Sequence, residues 1–278
     1  NQTSTALWCS ITVMNPIILC LMDCFLMILY LQSVVSQSRF LGYHRIIGGN
    51  DAPQGSIPWQ VRICGGGGGM LIADRWVLTA AHVLSPNMQP RPTNEVQMFW
   101  GTNTWTDFQV PNAIAASVHL HPGYNNSAHL NFDNDIALIK LPAPVTFNKF
   151  VMPICLPPEE DTLQNRTGVV SGFGLSKKLM DATLYQKNFN IKSLNIIRRT
   201  MSDVPEESHN MFCAGLPDGK KDSCHLDDGG PFALWSNDHY WAAGITSWGV
   251  RCAEAGTYGF YTRVSNYVDW IHKTMKEN

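Results

Sequence analysis

From Ile46 onward the apolar residues come in short or alternating runs: "WQVRI", "WVLTAA", "VQMFWG", "DIALIKL", "GVVSGFG", "YWAAGITSW" and "GFYTRV". Gly, Pro and Asn separate them. Many short strands with turn signals between them predict an all-β barrel or sandwich. The C-terminal end has a different period. In "VSNYVDWIHKTMKEN", Val264, Val268, Ile271 and Met275 fall at i, i+4, i+7 and i+11, one face of a helix, with Ser265 or Asn266 placed to cap its start. The run "GGGGG", Gly65–Gly69, leads directly into an apolar strand. It reads as a loose loop followed by strand backbone that something approaches closely, not as a domain linker.

Before Ile46 the pattern changes again. The stretch from Met14 to Val35 is apolar apart from a few polar residues, notably Asp23. A secretory signal core needs roughly 7–15 apolar residues and a membrane span about 20. Phe25–Leu31 suits the first, with small polar residues after it for cleavage; the alternative is an uncleaved anchor, against which Asp23 counts because a carboxylate is costly at mid-bilayer. Residues 36–45 form a polar linker ending in Arg45. The expected organisation is therefore 1–35 signal or anchor, 36–45 linker, and 46–278 a single larger domain.

Composition removes several function classes. A formal charge of -2, with no run of five like charges, gives no electrostatic reason to expect a nucleic-acid partner. The eight cysteines form no CxxC pair and no His/Cys cluster with zinc spacing, so neither a metal nor another cofactor is expected. Sequons at Asn1, Asn125 and Asn165 fit an extracellular chain, with Asn125 and Asn165 as glycosylation candidates.

Several motifs then converge in order. "RIIGG" with "PWQV" resembles the activation site of trypsin-like serine proteases, "LTAAH" their histidine segment, "DNDIALIKL" their aspartate segment, and "SWG" through "YGFYTRV" to "YVDWI" their C-terminal region. Over Ile46–Asn278 the chain is identified as a member of the trypsin/chymotrypsin family. The histidine segment runs "AAHV" where most members have a cysteine, and the partner cysteine position is Gly67. With "VMPICLP" and "NMFCAG", that paired absence is similar to the complement-initiating proteases and haptoglobin. The resemblance implies two packed six-stranded antiparallel β-barrels, a cleft between them, and a C-terminal helix.

The resemblance also assigns roles. His82 matches the general base and Asp135 the carboxylate that orients it. Asp222 matches the base of a specificity pocket for Arg or Lys, with Gly249 and Gly259 as walls and Ser247 supporting Asp135. Asp227 matches the acceptor for a new N-terminus at Ile46, freed by cleavage after Arg45. Cys224 and Cys252 match a disulfide joining the pocket walls. Cys155 resembles the cysteine that tethers the domain to an upstream segment, which makes it a candidate for an intermolecular disulfide. Cys213 lacks its usual partner, and Cys64 is an extra cysteine, expected to be among several unpaired thiols.

Two positions depart from the family. In "DSCHLDDGGPF", residues 222–232, Asp228 stands at the nucleophile serine and Leu226 at a glycine whose N–H helps form the oxyanion hole. A carboxylate attacking a peptide would have to form a mixed anhydride, but the carboxylate is a better leaving group than the amine, so the intermediate collapses backwards. The expectation is a secreted, non-catalytic homologue that binds protein or peptide ligands through exposed Arg or Lys, with membrane attachment only if the N-terminal segment is kept. The alternative is an active serine endopeptidase cleaving after Arg or Lys.

Overall fold

The computed structural model describes residues 50–86, 89–104, 110–124, 132–158, 163, 166–173, 185–192, 209–216, 227–249 and 258–278. The chain divides into two units, Asn1–Phe40 and Leu41–Asn278, and every described residue belongs to the second. The N-terminal apolar segment thus lies outside the described residues. Among them, no helix is long and apolar enough to cross a membrane.

The short apolar runs form strands that pair antiparallel into two sheets. The first contains β2 (Gln60–Ile63), β3 (Gly67–Ala73), β4 (Trp76–Thr79), β5 (Gln97–Trp100), β6 (Ala113–Ile114), β7 (Ser117–Leu120) and β8 (Ala137–Lys140), in the order β6-β5-β2-β3-β4-β8-β7. Six strands were expected, and the seventh arises from one bent strand. β6 pairs with β5 and β7 with β8, while between them Ala115 N–H donates to Val96 O and Ala116 N–H to Lys140 O. Residues 113–120 therefore pass from one neighbour to the other, curling the sheet round on itself.

The second sheet contains β1 (Asn50–Asp51), β9 (Thr167–Gly172), β10 (Tyr185–Lys192), β11 (Met211–Gly215), β12 (Pro231–Ser236), β13 (His239–Gly249) and β14 (Gly259–Arg263). Their order is β1-β10-β11-β14-β13-β12-β9, and β9 also pairs with β10. That pairing closes six strands into a ring, leaving β1 as a two-residue addition. These are the curled half-barrels of the trypsin-like double-barrel fold.

The apolar positions of these strands turn toward the cores that the sheets enclose. The second barrel centres on Phe212, Phe232 and Tyr261, whose ring centroids lie 4.9–5.4 Å apart. Such aromatic pairs add about 0.5–1.5 kcal/mol each beyond the area they bury. A larger cluster runs from first-barrel residues such as Val61, Leu71 and Leu138 to Ala242 and Ile245 of the second barrel and Ile271 of the C-terminal helix. Between the barrels, buried Ser171 donates from Oγ to Gln60 Oε1 at 2.7 Å.

The C-terminal helix keeps the predicted face but starts differently. A 3-10 turn, Val264–Tyr267, precedes the α-helix Val268–Glu277, and Val264, Val268 and Ile271 are buried. Neither Ser265 nor Asn266 caps the α-helix, because both lie inside the 3-10 turn. Asn266 donates instead to His209 O and Asn210 Oδ1.

Candidate active site

Strands β4 and β8 pair with Thr79 opposite Ala137, which sets the residues flanking that pair side by side. Beyond Thr79 the chain leaves the sheet through extended Ala80 and forms a single helical turn, α1 (Ala81–Leu84). Ala81, Val83 and Leu84 are buried, so the turn is held by its apolar residues while His82 faces the cleft at 21% side-chain exposure. Two residues before β8, Asp135 is fully buried. His82 donates to it twice, from the backbone N–H to Oδ1 at 2.9 Å and from Nδ1 to Oδ2 at 2.7 Å. Ser247 adds a third donor, Oγ to Oδ2 at 2.5 Å, and Thr262 Oγ1 donates to the Asp135 carbonyl at 2.9 Å. With three donors the buried carboxylate is satisfied, and it fixes the imidazole with Nε2 turned outward.

Asp228 sits on the turn leading into β12, opposite that nitrogen. Its Oδ2 is 3.8 Å from His82 Nε2, and its side chain is 29% exposed. The turn is tied from both barrels. Gly68 N–H of β3 donates to Asp228 O at 2.7 Å, Gly229 N–H to Thr246 O at 2.7 Å, and Gly230 N–H to Asp227 O at 3.0 Å. Gly229 has φ +77°, and a Cβ there would lie 2.5 Å from Gly68 O, so only glycine fits without strain. This is the close approach that the glycine run anticipates. A Cβ on Gly68 would sit 3.2 Å from Gly230 Cα, and one on Gly67 only 2.5 Å from Val83 Cγ1. The two positions lacking the usual disulfide therefore face each other, with the Val83 side chain packed over Gly67.

Electrostatically the site is a cation between two anions. Burial opposes charge on His82, but the Asp135 carboxylate, by its charge and its hydrogen bond, and then Asp228 outweigh it. The imidazole is raised from its ordinary 6.5 to about 10. A shift in that direction favours the charged imidazolium near neutral pH.

The remaining candidates fall into two groups. Ser247, Gly249 and Gly259 lie along β13 and β14, with Gly249 directly opposite Gly259. A Cβ on Gly249 would meet nothing within 4 Å, so this wall faces open space. Asp227 is buried, and its carboxylate packs against Gly172, where a side chain would collide with Oδ1. Arg45, Ile46, Asn125, Asn165, Asp222, Cys224, Leu226 and Cys252 lie outside the described residues. Among the described residues, no group of three or more His, Cys, Asp or Glu is placed to hold a metal.

Some contributors carry no sequence signal. Phe132 presents an edge to His82 at 6.0 Å and stacks on Trp248 at 5.8 Å; Trp248 in turn stacks on Phe260 at 3.8 Å. These rings form an apolar flank beside the imidazole. The cysteines require one correction: Cys64 is disulfide-bonded and not an unpaired thiol. Cys155 is free and exposed, while Cys213 is free and buried in β11, where burial pushes its thiol pKa well up.

The family model described as Trypsin matches residues 46–271. Complement C1r-B subcomponent of Mus musculus is 40% identical over 243 residues, covering 83% of this chain and 34% of that protein. Complement C1s subcomponent of Bos taurus is 40% identical over 263 residues, covering 86% of this chain and 36% of its own length. The chain thus spans about a third of the length of these curated relatives.

Proposed function

This chain belongs to the trypsin family of serine proteases, related to complement C1r and C1s, and from that premise we propose that it is a pseudoprotease that binds without cutting. The observation carrying the proposal is the Asp228 carboxylate 3.8 Å from His82 Nε2, where an alcohol would have to stand. Acyl transfer needs a hydroxyl whose proton the imidazole accepts. Here there is no hydroxyl to deprotonate, and the two carboxylates beside the imidazole favour its protonated form. Attack by the carboxylate would give a tetrahedral intermediate that expels the carboxylate, a far better leaving group than the amine, and restores the peptide. A fixed negative charge also stands beside the place where an oxyanion would develop, the reverse of what stabilises that transition state. Leu226 in place of glycine acts in the same direction, at a donor whose loss costs about 2.7–4 kcal/mol. In serine proteases, loss of the nucleophile lowers turnover by about a millionfold.

Binding is the function left to the cleft. Its expected ligand is a protein or peptide with an exposed Arg or Lys, held by Asp222 between the walls formed by Gly249 and Gly259. Cleavage after Arg45 would free Ile46 to pair with buried Asp227 and order that pocket. An extracellular site of action, glycans on Asn125 and Asn165, and an intermolecular disulfide through exposed Cys155 complete the reading. A working Arg/Lys endopeptidase is the second reading, favoured by the intact His82–Asp135–Ser247 hydrogen bonds.

Hydrolysis of an arginyl ester by purified protein cleaved after Arg45 decides between them. The expected rate is close to that of buffer. Turnover within about a hundredfold of trypsin would overturn the proposal, since that is far above what survives loss of a nucleophile.

A further inference from the structure

Three charged side chains meet in the cleft, and they differ in what they have left to offer. Asp135 is buried and takes three donors. Both ring nitrogens of His82 are directed at carboxylates, Nδ1 at Asp135 and Nε2 at Asp228. Asp228 is different. Among the described residues its carboxylate has one partner, His82 at 3.8 Å, and the side chain is 29% exposed. The backbone of its turn is pinned by Gly68 and Thr246, so the carboxylate is presented from a fixed position.

Two carboxylates and one imidazolium leave this centre with one net negative charge and an open acceptor. A hydrolase centre has the opposite polarity, since it receives a carbonyl oxygen, an acceptor, and supplies donors to it. We propose that Asp228 is a recognition residue whose outward oxygen takes an N–H donor from the ligand, so that the cleft accepts an uncut basic segment and rejects the same segment ending in a carboxylate. An intact peptide offers an amide N–H just beyond its basic residue. A newly cut one offers a second anion beside Asp228, where His82 already serves two carboxylates, bonded through Nδ1 to Asp135 and at ion-pair distance from Asp228 through Nε2. The ligand class is therefore an internal Arg or Lys of an unprocessed chain, not the product of a trypsin-like cut. This inference rests on the reading of the cleft as a binding site.

The test is calorimetric titration of the Arg45-cleaved protein at neutral pH with a short peptide ending in arginine, supplied as its primary amide and as its free acid. The two probes differ only in their terminal group, a neutral N–H donor in one and an anion in the other. The amide is expected to bind about tenfold tighter or more, the scale of one like-charge contact at a partly exposed site. In Asp228→Asn, and separately in Asp228→Ser, the two forms should converge to within about threefold. Equal affinities in the unaltered protein, or a gap that persists in both variants, would overturn the inference while leaving the binding site standing. If neither form binds, the binding reading itself fails and takes this inference with it.

Discussion

At the scale of single residues, the centre turns on what one side chain does to the charge of its neighbour. Burial opposes charge on His82, but Asp135 first and Asp228 second raise its pKa to about 10, so the carboxylate at position 228 adds to a shift that Asp135 leads. The sign of the pH dependence follows. Because the folded imidazole is raised above its ordinary 6.5, the stabilisation it supplies is complete below about pH 6.5 and lost as pH rises to about 10. NMR titration of the His82 ring should show it still protonated at pH 8, with a lower midpoint in Asp228→Asn. A midpoint near 6.5 in the unaltered protein would contradict the charge arrangement. Chemistry should return only when both departures are reversed. Asp228→Ser with Leu226→Gly is expected to regain amidase activity on an arginyl anilide, and either change alone to regain little, since nucleophile and oxyanion donor act as a unit. A folded but inactive double variant would place the defect elsewhere in the cleft.

At the scale of elements, backbone proximity positions the carboxylate. The turn around Gly229 rests on β3 through Gly68 and on β13 through Thr246, so it belongs to both barrels. Gly229→Ala would place a Cβ at φ +77° and 2.5 Å from Gly68 O. It should destabilise the fold by about 2 kcal/mol or more and lower Tm by about 5 °C in a thermal melt. An unchanged Tm would mean that the turn is not clamped as described. The glycine run was legible in the sequence because a run of Gly entering an apolar strand has few explanations. The helix face of Val264, Val268 and Ile271 was legible from its period. The cap was not, because a 3-10 turn shares its residue preferences with the start of an α-helix. Nor were the Val83–Gly67 packing, the Gly172–Asp227 contact or the Phe132 flank, each set by residues far apart in the chain with no local pattern. The disulfide at Cys64 eluded the sequence for the same reason.

At the scale of the whole molecule, the frame stands independently of the residue at position 228. The two curled sheets, the core between them and the contact from β4 to β8 bring His82 to Asp135 regardless of what occupies position 228. Two barrel cores and the cluster running between them specify that frame, and one side chain in a cleft cannot undo it. Motif order could therefore announce the fold, while two letters in a single segment decided the function proposed for it. If no side chain in this cleft forms an acyl-type covalent bond, fluorophosphonate treatment of the Arg45-cleaved protein, read by intact mass, should leave the mass unchanged, with a one-adduct shift only in the Asp228→Ser, Leu226→Gly variant. A stoichiometric adduct on the unaltered chain would contradict that expectation.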